Sequence, residues 1–319
     1  MPDEKPADKR FIFSGSAVAF GGRIRRPDDL FLKAAAASHL PVTGGLSESH
    51  VTGPDVSQYH YKEYLRFSEA YSRAHGDYSD PRKAAEFTHG NHGLNDLPVS
   101  TVVESRLLDL RVDADADAAE RTPRRIFQAK KLEVHMQTAT NWSGEQSTMR
   151  SLSVAFDGIT LSTVTQGTSG AVELKVITAP QVFSDNETKA KLIDKYAKDG
   201  DFRKKFATCF HPLGDGDKGF LGNLVGKHEI PHADVGPIVA TFVTGLEWEG
   251  GVAPEGTEIL GNRLTISGLG RIYFGEIIIN DNYQRVTLLR FELGSNVGGS
   301  ASAGEASSNG TPWPPQKTK

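Results

Sequence analysis

The feature of this sequence that most constrains its fold is a two-residue alternation of apolar and polar side chains. Leu132, Val134 and Met136 are each separated from the next by a charged or polar residue. A period of two places successive side chains on opposite faces of a pleated strand. Residues 131–138 are therefore predicted to form a half-buried β-strand.

The same alternation, or a run of β-branched residues, recurs along most of the chain. Further strands are predicted at 11–20, 100–112, 172–176, 238–248, 271–279 and 284–293. Residues 151–165 are predicted to form a hairpin that turns at Asp157-Gly158, because this pair tolerates positive φ angles. Many short strands separated by Gly, Pro and Asn indicate a mainly β (α+β) fold, an antiparallel β-sandwich or barrel with two short helical insertions.

The two helical insertions are predicted from apolar residues at helical spacing. The first lies near 57–86, where aromatic and aliphatic side chains between residues 61 and 71 fall on one helical face. The second lies near 184–210, which begins with a capping-box spacing at residues 184–187. Both insertions interrupt a chain that otherwise reads as strands.

One large domain accounts for most of the 319 residues. Residues 10–294 are predicted to form a single β-rich domain, since a chain of this length can bury a substantial core. Residues 1–9 are expected to be a polar arm. Residues 295–319 are rich in Gly, Ser and Pro and hold little apolar surface to offset chain entropy, so a disordered tail is expected.

The charge balance and the hydropathy argue against two classes of partner. Lys and Arg number 36 and Asp and Glu number 40, so the net charge is -4 and favours no general binding to nucleic acid. The basic cluster Arg23, Arg25 and Arg26 is predicted to be a solvated face. No apolar run approaches the length of a signal peptide or of a membrane span, which predicts a cytoplasmic protein without a membrane span.

One motif points to a metal. Residues His228-Glu229-Ile230-Pro231-His232 match the zinc-binding pattern in which two imidazoles one helical turn apart hold the ion and Glu activates a water molecule. Pro231 removes a backbone donor and pushes Ile230 toward an extended conformation. An extended loop is therefore the preferred interpretation, and a metal-dependent hydrolase with His228 and His232 as metal ligands is the alternative.

Two other motifs resemble ligand loops but depart from them. Residues 214–219 match a dinucleotide-binding pattern, yet Asp215 and Asp217 within it would repel phosphate and would suit calcium better. Residues 113–117 have alternating carboxylates, but Ala118 stands where a calcium loop needs glycine, so a solvated acidic loop is expected. No catalytic or cofactor-binding residue is assigned, and zinc and calcium are the only cofactors left open.

Several strand-and-glycine patterns carry a resemblance to a family. They lie at residues 100–103, 108–110, 152–159 and 268–272. In these stretches the chain resembles bacterial choice-of-anchor type surface proteins of unknown activity. It departs from them in its helical insertions and in lacking a signal peptide. The resemblance implies a β-rich module without catalysis.

These observations together predict a non-catalytic β-rich binding or structural module, with the hydrolase as the alternative. Protein partners or self-association are the expected interactions, because unpaired strand edges can join neighbouring chains. Trp248 would be an anchor for a partner if exposed, but its place in an alternating row predicts a core position.

Overall fold

The structure is a computed structural model, and it describes residues 10–78, 99–113, 124–140, 147–165, 168–184, 189–201, 238–280, 283–294 and 298–313. The strands in the first part of the chain are β1 (Arg10–Arg26), β2 (Leu30–His39), β3 (Gly45–Thr52), β4 (Leu65–Arg66), β5 (Glu69–Tyr78), β6 (Val99–Asp113), β7 (Arg124–Thr140), β8 (Ser147–Asp157) and β9 (Thr160–Thr165). They are followed by β10 (Thr168–Thr178), β11 (Ile238–Thr241), β12 (Val243–Trp248), β13 (Thr257–Leu260), β14 (Arg263–Ile266), β15 (Gly270–Ile279), β16 (Tyr283–Gly294) and β17 (Gly298–Trp313).

The helical segments of the described residues are short. The α-helix α1 (Lys189–Lys198) lies within the predicted second insertion and buries Leu192. Tighter 3-10 helices occur at Gly53–Tyr59, Pro180–Val182 and Glu249–Gly251. Within these ranges, no helix combines the length and the apolar character needed to span a lipid bilayer.

The strands form two antiparallel sheets that pack against each other. Sheet A has the order β13-β14-β15-β16-β17-β1-β2, and β11 also pairs with β15. Sheet B has the order β12-β10-β9-β7-β6-β5-β3, with β4 paired to β6 and β8 paired to β7. The predicted mainly β sandwich is confirmed, and the two sheets do not close into a barrel.

Aromatic side chains fill the space between the sheets. Phe127 of sheet B contacts Phe274 and Phe291 of sheet A, with ring centroids 6.3 and 5.8 Å apart in edge-to-face geometry. All three are fully buried, and each contributes about 2 to 3 kcal/mol through removal of apolar surface from water. Small polar residues bridge the sheets elsewhere, as between Ser38 and Ser72, whose hydroxyl oxygens lie 2.6 Å apart.

A line of left-handed residues crosses each sheet on alternate strands. In sheet A, Gly275, Gly304 and Ala36 have φ angles of 65°, 68° and 48° and lie in one cross-strand row. In sheet B, Asp109 and Gly158 have φ angles of 52° and 58° on either side of β7. The left-handed residues of each sheet therefore interrupt the regular extended backbone at the same level.

The predicted hairpin at residues 151–165 is wrong. Both β8 and β9 pair antiparallel with β7 along the same edge, so they run in one direction as a single bent strand. The bend lies at Gly158, where a Cβ atom would stand 2.7 Å from Cβ of Lys130. Glycine accommodates the left-handed backbone directly opposite Lys130, and the Asp-Gly pair that signals a turn serves instead as a kink.

The first helical insertion is shorter and lies earlier than predicted. A 3-10 helix occupies Gly53–Tyr59, and the chain then forms β4 and β5 through Tyr78, while residues 79–86 lie outside the described residues. In β5, Ala70 and Ala74 face the core, whereas Tyr71 lies on the opposite face. The helical spacing is false because Tyr61, Tyr64 and Leu65 are buried along a turn and β4, whereas Tyr71 lies on the outward face of β5.

The predicted disordered tail is corrected over most of its length. Residues 298–313 form β17, which lies between β16 and β1 in the middle of sheet A, while residues 314–319 lie outside the described residues. Ala301, Ala303 and Ala306 are buried in the core. Composition alone fails to predict this strand because small side chains carry little apolar surface. They nevertheless fit against the opposite sheet, where little space remains. The predicted arm at residues 1–9 also lies outside the described residues.

Candidate functional site

Most of the site residues proposed from the sequence lie outside the part of the chain that the structure describes. This holds for His228, Glu229 and His232 and for residues 214–219. Among the described residues, no group of three or more His, Cys, Asp or Glu is arranged to hold a metal ion. Trp248 is only 8% exposed and belongs to the core, so it offers no anchor at the surface.

The prediction of a solvated acidic loop at residues 113–117 is wrong for Asp113, the one residue of this segment that the structure describes. Its side chain is fully buried at the end of β6, and its carboxylate accepts hydrogen bonds from Arg124 at 3.0 Å and from Arg111 at 3.1 Å. The hydrogen bond to Asp113 raises the pKa of Arg124, and this effect is larger than the lowering caused by burial. This carboxylate is already neutralised by two guanidinium groups, so its role is structural.

The solvent side of sheet B carries a lattice of charges from strands β3, β5, β6 and β7. We call it the charged face, formed by Glu48, His50, Glu69, Tyr71, Arg73, Glu104, Arg106, Lys131, Glu133 and His135. At its centre, Glu69 Oε1 lies 2.7 Å from Arg106 and 3.3 Å from Nε2 of His50. The hydrogen bond from Arg106, with a smaller contribution from His50, lowers the pKa of Glu69.

The charges of this face satisfy one another across the strands. Arg73 pairs with Glu48 at 3.4 Å, and Arg106 also lies over the ring of Tyr71 at 5.3 Å. Acidic and basic side chains on neighbouring strands attract each other and support the sheet. The arrangement leaves little net charge to recruit a ligand.

A different arrangement occurs where β1 ends. Ile24 pairs with Gly299 and Arg26 pairs with Gly298, so Arg25 is an extra residue on β1 at this point. Such a bulge changes the direction in which the side chains of a strand point. Arg25 and Arg26 consequently both line one cavity, although adjacent residues of a regular strand would point to opposite faces.

The cavity has a volume of about 480 Å³. We call it the arginine pocket; its lining residues are Arg25, Arg26, Glu292, Leu293, Gly298, Gly299 and Ser300. A Cβ atom on Gly298 would stand 2.7 Å from Nε of Arg26, and one on Gly299 would stand 2.3 Å from the carbonyl oxygen of Arg23. Glycine at both positions lets β17 approach β1 closely enough for Arg26 to lie against it.

Among the described residues, a single carboxylate lines the pocket, and it is already engaged. Glu292 accepts a hydrogen bond from the hydroxyl of Tyr273 at 3.1 Å and forms an ion pair with Arg290. Arg290 also pairs with Glu276 at 2.8 Å and lies 3.9 Å from the centre of the Tyr273 ring. Burial alone would lower the pKa of Arg290, but its bonds to Glu276 and Glu292 raise it. The described ion pair of Glu292 is therefore with Arg290 and not with Arg25 or Arg26.

Arg25 and Arg26 are both exposed, and neither forms an ion pair with any carboxylate of the described residues. The nearby Asp29 is held by Arg23 in a two-pronged contact, with both N–O distances at 2.9 Å. The Arg23 hydrogen bond, with smaller effects of the charges on Arg23 and Arg25, lowers the pKa of Asp29. Within the described part of the chain, the pocket therefore presents two guanidinium groups that no carboxylate pairs with.

The sequence contains these arginines but gives no sign that they converge. The prediction that they form a solvated face assumes a regular strand. The bulge that turns both side chains toward one cavity depends on Gly298 and Gly299, which are more than 270 residues away in the sequence. The signal that does exist is the run Gly298-Gly299, since paired glycines inside a strand mark a close approach of another backbone.

Comparisons with known proteins give a family but no activity. A family model described as "Domain of unknown function (DUF8256)" matches residues 11–280, a stretch that includes Arg25 and Arg26 and ends before β16. No curated protein and no solved structure matches the chain. The resemblance to choice-of-anchor surface proteins stays a prediction. Because the match spans most of its length, the chain belongs to this family of domains of unknown function, DUF8256.

Proposed function

We propose that this protein is a non-catalytic β-sandwich module that binds an anionic group, a phosphate or a carboxylate, in the arginine pocket. The observation that carries the proposal is the pair of guanidinium groups, Arg25 and Arg26, that line one cavity without a described carboxylate partner. A guanidinium presents several N–H donors in a planar fork that matches the oxygens of a phosphate or carboxylate.

The other lining residues support binding rather than catalysis. Ser300 offers a hydroxyl group, and Leu293 offers an apolar wall. A covalent mechanism needs a nucleophile next to a general base. Among the described residues, the acidic side chain of the pocket is that of Glu292, which is bonded to Arg290 and Tyr273 and is poorly placed to act as that base.

The test is binding of inorganic phosphate, measured by isothermal titration calorimetry at low ionic strength. In the Arg25→Ala/Arg26→Ala variant we expect at least a tenfold loss of affinity, or about 1.4 kcal/mol. The control is Arg150→Ala/Lys175→Ala, which removes two exposed positive charges from sheet B and should leave affinity unchanged. Equal losses in both variants would mean general charge attraction and would refute the site.

A conservative variant separates geometry from charge. Arg25→Lys/Arg26→Lys keeps both positive charges but replaces each planar fork with a point charge. We expect a several-fold loss of phosphate affinity, smaller than in the alanine variant. Full affinity in the lysine variant would contradict recognition by the guanidinium fork.

The other functional expectations stay predictions. A metal-dependent hydrolase would use His228, Glu229 and His232, and elemental analysis of the purified protein addresses it directly. Stoichiometric zinc that is lost in His228→Ala would replace the binding-module proposal with the hydrolase. Self-association and a cytoplasmic location likewise rest on the sequence, and light scattering at high concentration tests the former.

A further inference from the structure

An exposed aromatic ring lies beside the arginine pocket. Phe31 on β2 is 75% exposed, the highest value among the exposed large hydrophobic residues in the described ranges. Phe31 is not itself a lining residue, but β2 is paired with β1, which supplies Arg25 and Arg26 to the pocket. An exposed aromatic side chain beside a cavity is a common anchor for a ligand.

The ring of Phe31 is held in place by the charged groups next to it. The guanidinium of Arg23 lies 4.8 Å from the ring centre, and Asp29 fixes that guanidinium through two contacts of 2.9 Å. A cation above an aromatic face attracts the ring. Since three quarters of Phe31 remains exposed, Arg23 covers only part of the ring and leaves apolar surface in contact with water.

The ring and the pocket belong to one cross-strand row. Arg23 pairs with Phe31 on one side and with Ser300 on the other, and Ser300 lines the pocket. Adjacent strands are about 4.8 Å apart, so the backbone of Phe31 lies about 10 Å from that of Ser300. A molecule with its anionic group on Arg25 and Arg26 can therefore reach the ring if it carries a planar apolar substituent.

We infer that the ligand of the arginine pocket is an amphipathic anion: a phosphate or carboxylate attached to an aromatic or similar apolar group that lies on Phe31. This inference rests on the proposed function, because the anionic group supplies the attachment point. The apolar group adds affinity by covering the exposed ring. The same chemistry occurs in a soluble aryl phosphate and in an anionic lipid, and the vesicle experiment below distinguishes these two sources.

The test compares 2-naphthyl phosphate with methyl phosphate by calorimetry. For the unaltered protein we expect naphthyl phosphate to bind about tenfold more tightly, as expected for burial of part of an aromatic face. Phe31→Ala should abolish this preference while leaving the affinity for methyl phosphate within about twofold. The control is Leu46→Ala, an equally simple removal of an exposed apolar side chain from sheet B, which should preserve the preference.

The outcomes distinguish this inference from the proposed function. If neither phosphate binds, the proposed function fails and this inference fails with it. If both bind equally and Phe31→Ala changes nothing, only the inference about the apolar group fails. Binding to phosphatidic acid vesicles, but not to phosphatidylcholine vesicles, together with an absence of naphthyl preference would overturn the soluble ligand in favour of a lipid headgroup.

Discussion

Two pairs of arginines in this protein stand in opposite electrostatic situations. Arg111 and Arg124 in sheet B enclose the fully buried carboxylate of Asp113. Arg25 and Arg26 in sheet A face a cavity and form no ion pair with a carboxylate of the described residues. Both pairs lie at or near strand ends, so position along the chain does not distinguish them.

The difference between the pairs is the acidic residue placed between them. A buried carboxylate requires compensation by positive charge, and the arginines around Asp113 provide it. Arg25 and Arg26 stabilise no buried group, and the mutual repulsion of two like charges disfavours their proximity. Arginines are therefore available for a ligand where the fold places no carboxylate in contact with them.

The two arginine pairs should differ most in their contribution to stability when both members of each pair are removed. Arg111→Ala/Arg124→Ala leaves Asp113 buried without a partner and should lower the free energy of unfolding by about 3 kcal/mol. Arg25→Ala/Arg26→Ala should change it by less than about 0.5 kcal/mol, because these side chains are exposed. Urea denaturation of both variants measures the difference. Equal destabilisation would show that Arg25 and Arg26 are structural.

Removal of the buried acid should have a smaller effect than removal of its two partners. Asp113→Ala frees Arg111 and Arg124, whose side chains are 38% and 39% exposed and can therefore bind water instead. We expect a loss of about 1.5 kcal/mol in the free energy of unfolding, measured by urea denaturation. Asp157→Ala, at an exposed carboxylate on β8, is the control and should have almost no effect. A larger loss for Asp113→Ala than for the double arginine variant would contradict this asymmetry.

The sequence predicts the sandwich because the alternation of apolar residues is a local property. The segment 131–138 lies within β7 as expected, and 271–279 and 284–293 pair as neighbouring strands. The predicted continuous strand at 238–248 is instead divided at Phe242, where the chain passes from sheet A to sheet B. This division depends on contacts with the backbone of Gly275 and Ala179, which no local pattern contains.

The sequence does not predict the arginine pocket, because the pocket depends on long-range register. Arg25 and Arg26 read as solvated charges until the bulge opposite Gly298 and Gly299 is known. The tail that brings those glycines to β1 reads as disordered, since its Ala and Ser residues carry little apolar surface. A composition argument underestimates a strand whose small side chains are required by close packing between two sheets.

The charged face is electrostatically intermediate between the two arginine pairs. Its contribution to the free energy of unfolding should therefore change at low pH. Arg106, with a smaller effect of His50, lowers the pKa of Glu69, so this carboxylate stabilises the fold above its unfolded pKa. That stability is lost as the pH falls through the lowered pKa. We expect Glu69→Gln to reduce the free energy of unfolding at pH 7 by about 1 kcal/mol and to have almost no effect at pH 2. Urea denaturation at both pH values measures this, and an equal effect at the two values would contradict the role of the charge.

The smallest predicted effect concerns Asp29, an exposed acidic residue near the arginine pocket. Asp29 carries a negative charge near Arg25, and Arg23 holds its pKa below the usual range, so it stays ionised at neutral pH.

Asp29→Asn removes this charge and should raise the affinity for methyl phosphate about twofold, an effect of the size of an exposed ion pair. Methyl phosphate is the appropriate probe because it does not reach Phe31, whose position depends on Arg23. Asp77→Asn, at an exposed carboxylate on β5, is the control and should leave the affinity unchanged. A lower affinity in Asp29→Asn, measured by calorimetry, would mean that Asp29 helps to hold the pocket in shape and that its charge does not compete with the ligand.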